Sequence, residues 1–424
     1  MQKKGIIRIK SKKVGVAMIE RKEYLAQLMD YKDTKTVKVV TGMRRCGKSS
    51  LLVLFMQKLL EEGTREDCIT YINFESLKFD EYKDYLKLYQ YIAARIKTGE
   101  KNYIILDEIQ EVDAWEKAVN SLLVDYVSDV DIYITGSNAY LLSSELSTLL
   151  SGRYVEIKML PLSFKEYLLF DKLRSEDNNL SVEDKFQDYL RYGSLPVLFE
   201  HKKADSVFNN ILIGIYNTVL MKDVIQRNKI SDVILLENVV RFALDNIGNI
   251  VSSKKISDYL SSDRKKTTHV TVLSYLDMLE SAYIFYPVRR YDLKVKNYLK
   301  TLEKHYVVDV GIRNAILGYR NADTGHILEN IVYLELLRRG YEVCIGKYND
   351  YEVDFVASRY DEKKYIQVTQ SIADKTVLER ECRALESVKD NYEKIILSMD
   401  RSYIIDRNGI RLQNIIDFLL DDNN

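Results

Sequence analysis

Proline is scarce, with three in 424 residues, and the four cysteines (Cys46, Cys68, Cys344, Cys382) are scattered without metal-ligand spacing. A disulfide scaffold or zinc cluster is thereby excluded, and a reducing, cytoplasmic setting is expected. Neither sign of charge is in excess: Lys+Arg and Asp+Glu both number 63. Overall charge therefore draws no polyanion, and any nucleic-acid surface must be a local basic patch. No apolar run approaches the roughly twenty residues that span a bilayer, so no membrane partner is expected. The basic segment Met1 to Lys13 lacks a signal-peptide core behind it, which argues against secretion. Low-complexity tracts and internal repeats are missing too. What the chain does have is 46% apolar residues, 30% charged residues and 32 tyrosines. This is globular composition, in a length that suggests about two to four domains, with the tyrosines packing cores and interfaces.

The most informative stretch runs from Val39 to Leu52. Gly42 to Ser49 (G-M-R-R-C-G-K-S) fits G-x-x-x-x-G-K-[ST], a phosphate-binding loop. Its context fits as well. The β-branched run Val37 to Val40 reads as a buried strand, and Ser49 to Leu60 has apolar residues at helical spacing. Glycines let backbone N–H groups face phosphates, and the helix N-terminus adds its positive end. Gly42, Arg44, Arg45, Cys46, Gly47, Lys48, Ser49 and Ser50 form the expected nucleotide cradle. Lys48 would reach the β- and γ-phosphates of ATP, and Ser49 would offer its hydroxyl to Mg²⁺. Cys46 reads as a small filler.

About sixty residues further on, Tyr103 to Leu106 is an apolar strand ending in Asp107-Glu108. Asp107 is suited to hold Mg²⁺ through water, and Glu108 to polarise the water that attacks the γ-phosphate. The next strand, Asp131 to Gly136, leads to Asn138, a sensor of the γ-phosphate or, alternatively, a helix N-cap. A helix is expected over Ala139 to Leu150 and a strand over Tyr154 to Leu160.

These motifs carry a resemblance. G-M-R-R-C-G-K-S, L-D-E-I-Q-E-V-D-A-W-E, T-G-S-N-A, L-S-G-R and P-L-S-F-K-E-Y resemble the prokaryotic AAA-type ATPases of the AAA-14 family that carry a C-terminal DUF4143 module. The resemblance implies an α/β fold: a parallel-sheet P-loop ATPase domain whose catalytic strand lies one strand away from the phosphate-loop strand. It implies that Arg153 acts as a finger on a neighbouring subunit's nucleotide in a homo-oligomer; an ion pair within the chain is the alternative. Gln110 and Trp115-Glu116 belong to the same signature, without an assigned chemistry; Trp115 reads as a packing anchor. Residues 1–160 would be the ATPase core and 161–229 a helical lid. Within the lid, Tyr192-Gly193-Ser194-Leu195-Pro196 resembles a family element, and Arg191 is a weak second-sensor candidate.

Residues 230–318 read as a winged helix. Helices over Leu236 to Ile247, Lys254 to Ser261 and Thr267 to Ser281 precede strands Tyr283 to Val288 and Lys304 to Val308. Lys254, Lys255, Arg264, Lys265 and Lys266 near the helices, with Arg289, Arg290, Lys294, Lys296 and Lys300 in the wing, make double-stranded DNA a candidate partner. The alternative is an interdomain spacer. Residues 319–424 resemble a restriction-endonuclease-like α/β domain, in which Glu329, Asp354 and position 367 would converge on a divalent metal. Gln367 is a poorer ligand than a carboxylate, and Thr369 stands where the resemblance implies a lysine; Lys363 or Lys364 would be the substitutes. A degenerate site is expected. The combined reading is an ATPase that drives rearrangement of its second half, with DNA as the candidate on which it acts. The rivals are a slow nucleotide switch with a protein partner and an ATP-regulated nuclease.

Overall fold

The computed structural model describes residues 19–139, 152–174, 180–262, 267–299, 302–401 and 406–421. Most of the helix expected over Ala139 to Leu150 lies outside them, as do Arg264, Lys265, Lys266 and Lys300. The chain divides into two compact units, Met1–Met159 and Leu160–Asn424.

In the first unit the order is α1 (Lys22–Asp30), β1 (Val37–Thr41), α2 (Lys48–Glu61), β2 (Ile69–Asn73), α3 (Tyr85–Ala93), β3 (Asn102–Asp107), α4 (Trp115–Asp125), β4 (Val130–Gly136) and β5 (Tyr154–Lys158). All five strands run parallel in the order β2-β3-β4-β1-β5. The continuous apolar runs of β1, β3 and β4 are explained by helices covering both faces, as parallel sheets require. Alternate side chains divide between two cores. Val37, Val39, Ile104, Leu106, Ile132 and Ile134 meet α3 and α4, including Trp115. Val40, Tyr103, Ile105 and Tyr133 meet α1 and α2 through Leu25, Leu51, Leu52 and Phe55. The strand that ends in Asp107 is thus one strand removed from the phosphate-loop strand, with β4 between them.

The second unit begins with α5 (Phe164–Arg174), α6 (Val182–Tyr192) and α7 (Asp205–Thr218), which continues through a π-helical stretch, Val219–Gln226. Next come α8 (Val233–Asp245), β6 (Ile250–Val251), α9 (Ser253–Ser262), α10 (His269–Ser281), β7 (Phe285–Val288), β8 (Arg290–Asp292), β9 (Asn297–Tyr298) and β10 (Glu303–Val307). The remainder is α11 (Val310–Leu317), α12 (Thr324–Arg338), β11 (Glu342–Tyr348), β12 (Tyr351–Arg359), β13 (Glu362–Val368), α13 (Lys375–Ser387), β14 (Glu393–Ser398), β15 (Asp406–Arg407), β16 (Ile410–Asn414) and α14 (Ile415–Leu420). Strands β6, β10 and β7 form one antiparallel sheet in that order. The others form an eight-stranded sheet, β15-β16-β14-β13-β12-β11-β8-β9.

One expectation changes here. The segment between β7 and β10, expected as the basic turn of a wing, is a hairpin whose β8 pairs parallel with β11. Its backbone groups are engaged: Leu293 N–H donates to the Lys347 carbonyl at 2.9 Å, and Ile345 N–H to the Arg289 carbonyl at 2.9 Å. An open strand edge is satisfied by extending the large sheet.

Candidate nucleotide site

Backbone geometry builds the loop first. Gly42 has φ 141°, and a Cβ placed there would lie 2.2 Å from the Met159 carbonyl oxygen. Arg45 (φ 68°) and Gly47 (φ 104°) also take positive φ, turning the chain so that α2 begins at Lys48. Cys46 is fully buried, and its carbonyl accepts from the buried Arg21 guanidinium at 3.1 Å. Lys48, itself buried, donates to the Gly42 and Met43 carbonyls at 2.9 and 3.1 Å and lies 3.8 Å from a Glu108 carboxylate oxygen. Arg44 reaches Glu75 at 2.9 Å, while Arg45 and Ser50 are exposed on the rim.

Asp107 ends β3 with no exposure. Its Oδ1 accepts from Thr135 Oγ1 at 2.6 Å, and its Oδ2 from Tyr71 Oη at 3.0 Å and Asn73 Nδ2 at 2.9 Å. Burial pushes its pKa up against these donors and the Ser49 hydroxyl, which also bonds to it. The Ser49 hydroxyl and Asp107 carboxylate are adjacent hard oxygen donors at the loop, a donor set that suits Mg²⁺. The two residues would hold that ion, which supplies positive charge to the phosphates.

Glu108 occupies the left-handed region at φ 56°. Its N–H donates to Thr135 Oγ1 at 2.9 Å, so one threonine ties both acids to β4. Burial pushes the Glu108 pKa up, but the Lys48 charge and hydrogen bonds from Gln110 and Ser137 outweigh it and hold the carboxyl below its ordinary value. Asn138 is fully buried just beyond the end of β4. Arg153 is half-buried before β5 and donates to Asn120 Oδ1 at 2.8 Å within its own unit. The sequence signal left Gln110 without a role, yet its Nε2 bonds to Glu108 Oε2 and lies 3.4 Å from Ser137 Oγ.

In the second unit the expected metal triad is filled differently. Glu329 on α12 and Asp354 on β12 do converge, but on the ammonium of Lys304 from β10, at 2.7 and 3.8 Å, with Glu352 at 3.0 Å. Tyr306 also donates to Glu329. Gln367 turns its amide to Glu381 at 2.7 Å and accepts from the Asp354 N–H at 2.6 Å. Lys364 pairs with Glu362 and Glu393 at 3.0 and 3.3 Å, Lys363 lies over the Tyr392 ring, and Thr369 N–H bonds to the Leu397 carbonyl. Among the described residues no group of three or more His, Cys, Asp or Glu side chains could hold a metal ion. Lys304, which reading along the chain placed only at a strand start, supplies the positive charge instead. Burial and the neighbouring Glu329 charge push Asp354 up to about 8.

The Tyr192 to Pro196 element is held within the second unit: Asp309 Oδ2 accepts from the Ser194 N–H at 2.7 Å. Arg191 pairs with Asp205. No described helix is long and apolar enough to cross a membrane.

Comparison with known proteins adds three findings. A family described as an AAA domain matches residues 34–168, and a domain of unknown function, DUF8612, matches residues 183–323; the DUF4143 module expected over residues 319–424 is not what matches. An uncharacterized protein of Haemophilus influenzae is 41% identical over 406 residues, 95% of this chain and 99% of that one, and the uncharacterized protein MJ1544 of Methanocaldococcus jannaschii is 32% identical over 84% of this chain and 79% of that one. The Walker-type ATPase PABY2304 of Pyrococcus abyssi has a similar fold, with TM-score 0.51 over 70% of this chain and 95% of that one at 14% identity.

Proposed function

We propose that this chain, whose residues 34–168 match an AAA domain and which belongs to one family with the uncharacterized Haemophilus influenzae protein, hydrolyses Mg-ATP to rearrange its second half against a protein partner. The observation that carries the reading is the meeting of Lys48 and Glu108 at 3.8 Å, with Ser49 bonded to Asp107 beside them. Lys48 binds the β- and γ-phosphates, Ser49 and Asp107 face the metal, Glu108 takes the water's proton, and Asn138 senses the γ-phosphate. Arg153 could serve a neighbouring subunit on release from Asn120.

The order α8, β6, α9, α10, β7, β10, closed by the β6-β10-β7 sheet, supports a winged helix. The exposed residues of α10 are His269, Val270, Leu273, Asp277 and Glu280. Two aliphatic and two acidic side chains suit protein better than phosphate, and the engagement of β8 with β11 supports the same choice. The Lys304-centred cluster supports a second half that does not cleave DNA.

The test is steady-state ATP hydrolysis, with and without duplex DNA, for wild type, Lys48→Ala and Glu108→Gln. Turnover indifferent to DNA, abolished by Lys48→Ala and reduced about 10²–10⁴-fold by Glu108→Gln, is expected. Tight ATP binding with negligible wild-type turnover would instead identify a nucleotide switch, and DNA stimulation would restore the nucleic-acid partner.

A further inference from the structure

Gln110 is the polar group of the nucleotide site that the family signature contains but the mechanism above does not use. It sits two residues after Glu108 in a single 3₁₀ turn, Ile109–Glu111. Side chains two apart in a regular helix or a single turn of one do not ordinarily face each other. They do here because Glu108 is left-handed, at φ 56° and ψ 50°, a conformation that costs a non-glycine residue about 1–2 kcal/mol. Strain of this kind persists where the surroundings over-determine it, and here the Glu108 N–H is pinned to Thr135. The outcome is an amide with one end engaged. Its Nε2 donates to Glu108 Oε2 and lies 3.4 Å from Ser137 Oγ. Its Oε1 is buried and has no hydrogen-bond partner among the described residues. Most buried polar atoms are paired, so an unpaired acceptor beside the base calls for an explanation. Ser137, fully buried, adjoins the same amide.

We infer that Gln110 is a second residue acting on the attacking water, its N–H fixing the Glu108 carboxylate and its carbonyl accepting the water hydrogen that Glu108 does not take. The inference rests on the hydrolytic reading of the site. A water has two hydrogens, and a single carboxylate leaves it free to rotate about one hydrogen bond; two acceptors set the direction of its lone pair. In the step itself the water oxygen forms a bond to the γ-phosphorus while the bond from that phosphorus to the β,γ-bridging oxygen breaks. The bridging oxygen leaves with the electron pair on ADP. One water proton passes to Glu108, and the other stays on the oxygen of the inorganic phosphate, within reach of Gln110 Oε1. Gln110 remains neutral throughout.

The test compares wild type, Gln110→Met, Gln110→Glu and Glu108→Gln, measuring kcat and KM for ATP across pH together with equilibrium binding of a fluorescent ATP analogue. Gln110→Met keeps the length and removes both polar ends. It is expected to lower kcat about 10–100-fold, with KM and analogue binding within about twofold of wild type. Gln110→Glu can donate to Glu108 only while protonated, so its kcat rises relative to wild type as pH falls. Unchanged kcat in Gln110→Met, or a parallel loss of analogue binding, would overturn the inference and leave Gln110 a structural residue. Should Gln110→Met fail to fold, Gln110→Glu decides alone: a profile parallel to wild type refutes the inference. No turnover in wild type would mean that the hydrolytic reading had failed, whereas wild-type turnover lost in Glu108→Gln but retained in both Gln110 variants would sink the water-holding role only.

Discussion

Gly42 and Gly311 show how single residues are dictated by their surroundings. At Gly42 a side chain would need both a φ of 141° and space already held by the Met159 carbonyl oxygen. At Gly311 the backbone is ordinary, but a Cβ would lie 1.9 Å from the Tyr192 carbonyl oxygen. This is where α11 presses on the end of α6, and the close fit accounts for the Gly311 position beside the Tyr192-Gly193 element. Gly42→Ala is expected to destabilise by more than about 1 kcal/mol and to weaken ATP binding. Gly311→Ala, an overpacking substitution, is expected to destabilise by about 1–3 kcal/mol with no comparable loss of nucleotide affinity. Chemical denaturation with and without ATP separates the two. Equal loss of affinity in both would show that the α6–α11 junction is part of the nucleotide site.

At the scale of elements, β10 takes part in two structures at once. Its backbone closes the small antiparallel sheet, while Lys304 reaches Glu329 on α12 and Glu352 and Asp354 on β12. Breaking a buried ion pair by removing one partner leaves uncompensated charge and typically costs about 3–5 kcal/mol. Lys304→Met should lose roughly that amount at pH 8 and recover part of it in acid, as the carboxyls protonate. Equal stability of the variant and wild type at pH 8 would show that the cluster is not held by its lysine. Asp354 gives the converse test. Its pKa is raised in the folded state to about 8 from an ordinary value of 3.8, so the native protein holds a proton that the unfolded chain releases. This contribution is present in full below the unfolded value and is lost as pH rises between the two. Asp354→Asn should therefore flatten the fall in melting temperature from about pH 4 to about pH 8, and an unaltered slope would assign the titration to another group. The Gln367 amide lies against Glu381 and the backbone, so the pattern that sequence spacing suggested as a metal triad is, in space, a lysine-centred polar knot.

At the scale of the molecule, the single tryptophan is a reporter of one unit. Trp115 is buried in the α3–α4 core of the ATPase sheet, within Met1–Met159. ATP at about 100 times its Kd should stabilise that unit by about 2.7 kcal/mol and raise the transition seen by Trp fluorescence. A Trp transition blind to ATP would place the nucleotide elsewhere. Much of this unit was legible in one dimension, because its chemistry is local. A glycine loop between a β-branched strand and an amphipathic helix can fold in few ways, and Asp107-Glu108 ends a strand too apolar to lie at a surface. The composition likewise determined what charge and hydrophobic length alone can exclude. Only the tertiary structure decided which residues meet across long stretches of chain. It took a left-handed Glu108 to bring Gln110 onto the carboxylate, since spacing of two gives no such expectation. It took the pairing of β8 with β11 to commit the basic wing to a sheet, because an open strand edge is satisfied by whichever strand folding brings beside it. And it took the approach of β10 to α12 and β12 to put Lys304 among the acids, because burial makes an opposite charge obligatory there without specifying which part of the chain provides it.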